Sequence, residues 1–217
     1  DPVFGSISGN VSRDTNGDNE GNTPVAGITL SLVDISGNPV LGSNNLALIA
    51  ITDGSGNYSF TDLPPGSYRV VETVPAGDVA VNDVDGGNLA INGDTTPITL
   101  TGGQTVANQD FVIAALGSIS GTIRQDVTGD SQGDVPLPGV VVVLLQTNGS
   151  PVLDENNDPI TTVTDEFGNY SFPVITPGDY RVAHVPPGGM IAVDDMDGGN
   201  LTINGDQTAI SVLPGAD

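Results

Sequence analysis

Apolar residues in this chain come in short runs bounded by Gly, Pro, Asn and Asp, and no stretch carries a helical period. Alternating or β-branched runs separated by turn residues are the pattern of an all-β sandwich. In the first half they predict strands over 5–12, 27–34, 46–52, 57–61, 67–74, 97–101 and 108–113. In the second half the predicted strands are 117–124, 139–146, 160–164, 169–173, 179–185 and 208–213. Ile28, Leu30 and Leu32 alternate with Thr29 and Ser31, so that strand is expected to bury one face. Its counterpart, Val140 to Leu145, is apolar throughout and is expected to be covered on both faces. Two Pro-Gly turns, at Leu63–Gly66 and Ile175–Gly178, feed strands whose Tyr68 and Tyr180 are expected to point inward.

The pattern repeats. Gly5-Ser6-Ile7-Ser8-Gly9 recurs as Gly117-Ser118-Ile119-Ser120-Gly121, an offset of 112 residues. The same offset carries Asn57-Tyr58-Ser59-Phe60 onto Asn169-Tyr170-Ser171-Phe172, and Asp83-Val84-Asp85-Gly86-Gly87-Asn88 onto Asp195-Met196-Asp197-Gly198-Gly199-Asn200. Two homologous domains are therefore expected, 1–115 and 116–217, each an immunoglobulin-like or transthyretin-like Greek-key β-sandwich. The second copy stops before any counterpart of Phe111-Val112-Ile113, so it is expected to lack its last strand. The 217 residues read as one period, or a cut, of a longer array in which the next unit supplies that strand. A start at Asp1, with neither Met nor a signal sequence, reads as a processed or excised piece.

Charge changes the picture next. The net charge is −23, with four Arg, no Lys and 27 acidic residues, of which four are Glu. A polyanion gains nothing from approaching nucleic acid or an anionic membrane, and no apolar run is long enough to span a bilayer. The absence of Cys removes disulfides and thiolate chemistry. A single His, His184, matches Glu72 of the first copy and is expected to be a structural surface residue; it leaves no Ser-His-Asp arrangement that both copies share. With no Trp, four Tyr and five Phe, the aromatic platform of a sugar-cleaving site is also missing, so no enzyme activity is expected. Arg69 and Arg181 sit at equivalent positions and are expected to pair with nearby carboxylates.

The acids are clustered, and clustered carboxylates repel one another unless a cation joins them. Asp14, Asn16, Asp18 and Glu20 place side-chain oxygens at alternate positions of a Gly-bearing loop, as hard-cation sites require. The second copy offers Asp126, Thr128, Asp130 and Asp134. The bidentate Glu of an EF-hand is absent, since the twelfth position from Asp14 is Val25, so an EF-hand is rejected. A second group is Asp83, Asp85, Asn88 and Asp94, with Asp195, Asp197, Asn200 and Asp206 as its twin. All sixteen are candidate Ca²⁺ ligands. Asp53 with Asn57, and Asp165 with Glu166 and Asn169, read as ordinary turn formers. If strands alternate up and down, the loops bearing Asp14, Asp53 and Asp83 share one pole, where calcium would stiffen the joint across the short linker 114–116.

The ordered set of motifs (Gly-Ser-Ile-Ser-Gly, an acidic loop, Thr52-Asp53 leading to Gly56-Asn57-Tyr58-Ser59-Phe60, Leu63-Pro64-Pro65-Gly66 before Tyr68, and a late Asp83-Val84-Asp85 loop) resembles the B-repeat domains of serine–aspartate repeat surface adhesins, relatives of Cna B-type domains. The resemblance covers nearly all of both copies. It implies tandem calcium-stabilised stalk modules, extracellular or on a bacterial surface, with neighbouring repeats or self-associated fibres as partners. The internal Lys-based isopeptide crosslink of many Cna B-type domains cannot form in a chain without Lys. A rival reading is an adhesin module for a glycan or host protein. A third treats the acidity as adaptation to high salt.

Overall fold

The computed structural model describes residues 3–205 and 208–216. The chain divides into two compact units, Asp1–Ala115 and Leu116–Asp217. Both are all-β, and among the described residues no helix is long and apolar enough to cross a membrane.

Unit 1 has strands β1 (Gly5–Asp14), β2 (Thr23–Pro24), β3 (Thr29–Asp34), β4 (Ile49–Ile51), β5 (Asn57–Leu63), β6 (Gly66–Glu72), β7 (Asp78–Asp83), β8 (Ile91–Asn92), β9 (Ile98–Leu100), β10 (Thr105–Val106) and β11 (Phe111–Ala115). One sheet runs β10-β1-β11-β7, with β2 and β5 also on β1; the other runs β4-β3-β6-β8, with β9 also on β6. Strand alternation sends Ile7 and Val11 of the first sheet, and Leu30, Leu32 and Val70 of the second, into one shared core. The strand pair β1–β11 is parallel, with Val11 opposite Phe111 and Asp14 opposite Ala114. Phe111 and Ile113 are fully buried, each contributing about 2–3 kcal/mol by area removed from water. Tyr58 packs edge-on against Phe60 and tilts against Phe111. The turn before β5 brings Gly56 against β1: its φ is +77°, and an added Cβ would lie 2.4 Å from the Val11 carbonyl oxygen.

Unit 2 has β12 (Gly117–Thr122), β13 (Arg124–Gln125), β14 (Val135–Pro136), β15 (Val141–Gln146), β16 (Thr161–Val163), β17 (Asn169–Ile175), β18 (Gly178–His184), β19 (Ile203–Asn204) and β20 (Ile210–Val212). Its larger sheet, β16-β15-β18-β19 with β20 on β18, copies the β3–β6 sheet. The opposing layer is fragmented into β12–β17 and β13–β14. Tyr68 and Tyr180 point inward, as expected.

Strand β7 and the two-residue strands β2, β8, β10, β14 and β19 lie outside the predicted runs, and β15 is covered differently from the expectation. Strand β7 was not expected, because its Val79 and Val81 sit between Gly77 and a pair of polar residues and resemble a loop. It exists by pairing antiparallel with β11. Its counterpart in unit 2, residues 190–195, is not a strand, and Ile191 there is 82% exposed. Strand β15 is buried along one face, at Val142 and Leu144, and graded along the other, where Val141 is exposed, Val143 half-buried and Leu145 buried.

Candidate metal centre

The first acidic loop follows β1 directly. Asp14, the last residue of that strand, is fully buried and organises the turn. Its Oδ1 accepts the backbone N–H groups of Asn16 (2.9 Å) and Gly17 (2.8 Å), and its Oδ2 accepts that of Asn19 (2.9 Å). Burial pushes its carboxyl up, but these amides outweigh it and hold the pKa below the ordinary carboxylate value. Asp18 accepts the Asn16 side-chain amide (2.9 Å) and the Glu20 backbone N–H (2.8 Å). Glu20 is exposed.

The twin loop in unit 2 draws its acids closer. Carboxylate oxygens of Asp126, Asp130 and Asp134 all lie within 4.8 Å of one another. Asp126 accepts the N–H groups of Thr128 (3.0 Å), Gly129 (2.6 Å) and Ser131 (2.9 Å), copying Asp14, and its carboxyl is likewise held low, the Gly129 amide contributing most. Asp134 Oδ2 accepts Val127 N–H (2.9 Å) and the N–H and Oγ1–H of Thr128 (3.0 and 3.1 Å). At the 112-residue offset Asp134 corresponds to Asn22, whose amide donates to Asn16 Oδ1 at 2.9 Å. The structure therefore places Asn22, the next alternate position after Glu20 and the one the repeat offset points to, in the first loop.

The second group lies after β7. Asp83 Oδ1 accepts Gly86 N–H at 2.6 Å, while Asp83 Oδ2 is buried with no hydrogen-bond partner. Asp94 Oδ2 accepts Asn88 N–H at 2.9 Å, and Asp94 Oδ1 is also buried without one. Asp85 turns away to hold the 93–96 segment, its Oδ2 accepting N–H groups of Gly93, Thr95 and Thr96 at 3.0–3.1 Å. Burial raises the Asp83 carboxyl; the charges of Asp85 and Asp94 raise it further, against the Gly86 amide. In unit 2, Asp195 Oδ1 accepts Gly198 N–H at 2.6 Å and its Oδ2 is again buried without a partner. Asp197 Oδ2 accepts Thr208 N–H at 3.0 Å, and Asn200 Oδ1 accepts Thr202 Oγ1–H at 2.9 Å. Asp206 lies outside the described residues. Orphaned carboxylate oxygens facing inward suit a hard cation, since a buried acceptor left unfilled is costly.

The loops after β1 and β7 leave the sheet at different levels but touch, Asn82 Nδ2 donating to the Asn19 carbonyl at 3.1 Å. Register puts Asp14 beside Ala114, whereas Asp83 opposes Phe111, the other end of β11. Strand β7, unread in the sequence, reverses the parity count. Asp53 and Asp165 are turn formers, each accepting N–H groups two and four residues on. Arg69 donates to the Gly93 carbonyl at 3.2 Å and not to a carboxylate. The ion pair found among the described residues is Arg13–Asp78. His184 is half-buried, lining a cavity in unit 2, and burial lowers its pKa against the opposing charge of Asp195. Asn92 was also passed over: fully buried, it accepts Val84 N–H (3.0 Å) and donates to the Asp110 carbonyl (3.1 Å). Its signal is the repeated Ile91-Asn92-Gly93-Asp94 and Ile203-Asn204-Gly205-Asp206.

The sequence profile of the SdrD B-like domain family matches residues 5–114 and 123–214. Colossin-A of Dictyostelium discoideum is 34% identical over 189 residues, 85% of this chain and 2% of that protein. Serine-aspartate repeat-containing protein D of Staphylococcus aureus strain Newman is 28% identical over 76% of this chain and 12% of its own length. The chain thus spans a small fraction of the curated relatives it matches. Among solved structures, a streptococcal ancillary pilin aligns with a TM-score of 0.44 at 18% identity, covering 86% of this chain and 54% of the pilin.

Proposed function

This chain belongs to the SdrD B-like domain family, and from that membership we propose that it is a calcium-stabilised pair of modules in a bacterial stalk or fibre. Its part is structural and not catalytic, and its place is outside the cell, at the surface. The observation that carries the calcium reading is the trio Asp126, Asp130 and Asp134, with carboxylate oxygens within 4.8 Å of one another. The unpartnered oxygens of Asp83, Asp94 and Asp195 support it independently.

A bound divalent cation would offset much of the local repulsion in such a loop and lock backbone that is otherwise held by short Asx turns. Ligand binding to the folded state alone raises stability by mass action, so rigidity would follow external calcium. Partners on this reading are neighbouring repeats or further copies in a fibre. A thermal melt in calcium against a chelator tests it: a clear rise in Tm with calcium is expected, and superimposable melts refute it.

A further inference from the structure

Strand β4 ends its sheet: it pairs with β3 on one side, and among the described residues no strand of unit 1 pairs with the other. Its main-chain groups divide by parity. Thr52 N–H donates to the Ile28 carbonyl (3.0 Å), Leu32 N–H to the Leu48 carbonyl (3.0 Å), and Leu48 N–H to the Val40 carbonyl (2.8 Å). Even-numbered residues therefore bond inward, and the side chains of Leu48 and Ala50 pack against the core. Alternation leaves the N–H and C=O groups of Ala47, Ile49 and Ile51 on the open edge. The Ile49 and Ile51 side chains stand on the outer face, 58% and 61% exposed.

Unit 2 guards the same edge and unit 1 does not. At the 112-residue offset, Asp158 and Pro159 stand where unit 1 has Leu46 and Ala47, Thr161 stands for Ile49, and Asp154 and Glu155 stand for Gly42 and Ser43. Pro159 removes the N–H at one of the outward positions, and the acids repel an approaching strand. Both are devices that keep sheet edges from pairing. In unit 1 no charged residue and no edge proline lies between Val40 and Thr52, in a chain of net charge −23. An apolar, uncharged edge strand with open hydrogen-bonding groups is a template for another strand.

We propose that the β4 edge is an interaction surface for a second copy of this chain, joined edge to edge by antiparallel pairing about a two-fold axis at Ile49. Two features select this occupant. The edge is its own complement: Ile49 meets the partner's Ile49 and Ala47 meets the partner's Ile51, each pair exchanging both main-chain bonds. The β4-β3-β6-β8 sheet then continues into its copy, and the isoleucines pack across the junction on the outer face. Charge is the second feature. Each copy carries −23, and the tract from Val40 to Thr52 lets two copies touch without bringing carboxylates together. The inference deepens the fibre-module reading and rests on it for the supply of neighbouring copies, but not on calcium.

The test is sedimentation of the whole 217-residue chain over a concentration series, at low and high salt, in calcium and in chelator. A reversible dimer is expected, tightening at high salt as repulsion between copies is screened. Residue-resolved amide exchange should show new protection at Ala47, Ile49 and Ile51, and no gain at Leu48 or Ala50, which already pair within unit 1. Ile49→Lys and Ile49→Glu should each weaken the dimer at least roughly tenfold by opposing like charges across the axis, and a mixture of the two should restore it. Ala47→Pro, which copies Pro159, should weaken it as well while leaving the melt of the monomer in place. A chain that stays monomeric throughout, a dimer that the Ile49 substitutions leave unchanged, or a mixture that does not recover overturns the proposal. Capture of a foreign strand-forming peptide at β4 by a chain that stays monomeric overturns the named occupant. A β4-dependent dimer with calcium-independent melts would sink the calcium reading and leave the edge standing; calcium-dependent melts of a persistent monomer would do the reverse.

Discussion

Arg13 and Asp78 clasp each other across β11: Nη1 donates to Oδ1 and Nη2 to Oδ2, the latter at 2.6 Å. Arg13 stands opposite Ile113 on one side of that strand and Asp78 opposite Ala115 on the other, so the pair bridges the three strands β1, β11 and β7. The equivalent residues in unit 2, Gln125 and Met190, cannot form it. Asp78→Ala is expected to destabilise unit 1 by about 1–2 kcal/mol, read from the urea midpoint. The loss should shrink at high salt.

Glu72 sets a pH dependence. Its side chain is buried on the inward face of β6, neither oxygen has a hydrogen-bond partner, and burial, with Asp78 adding to it, pushes its pKa up to about 7. The folded state therefore holds a proton that the unfolded state releases above its ordinary value near 4.5. This group's contribution is full at acid pH and is lost as pH rises to about 7. Glu72→Gln should stabilise unit 1 at pH 8 by on the order of 1–3 kcal/mol and change little at pH 4, measured by chemical denaturation at both. Asp14 and Asp85 act in the opposite direction, since their depressed pKa values give stability that is lost as pH falls through them.

Two glycines with similar backbone angles should respond differently to alanine. Gly56 has φ +77° and a Cβ site 2.4 Å from the Val11 carbonyl oxygen, whereas Gly27 has φ +81° and open space around it. Gly27→Ala should cost about 1 kcal/mol from backbone conformation alone. Gly56→Ala should cost at least twice that, because β1 must shift to admit the methyl group. Paired denaturation curves decide it.

The proposed cation site makes a signed prediction. Asp130→Asn should lower calcium affinity by roughly tenfold or more, since it removes one charge from a three-carboxylate cluster. In chelator the same variant should be slightly more stable than the wild type, because the remaining acids repel less. Calorimetric titration and a calcium-free melt together check both signs. Asp126→Asn is a poorer probe, because Asp126 also organises the loop through three backbone amides.

The sequence by itself determined the strand class, the repeat, the inward faces of β3 and β6, and the acidic loops after β1 and β7. These are readable because period-two burial and Asp-Gly turn chemistry act between neighbours in the chain. Tertiary structure decided the rest. Residues 78–83 are short and polar-edged, yet they form a strand, because β11 lies beside them to pair with. Which carboxylates keep an unfilled oxygen was equally hidden: Asp85 spends its own on amides of residues 93–96, while Asp83 and Asp94 do not. Both outcomes depend on partners far along the chain, and a pattern confined to local spacing carries no record of them.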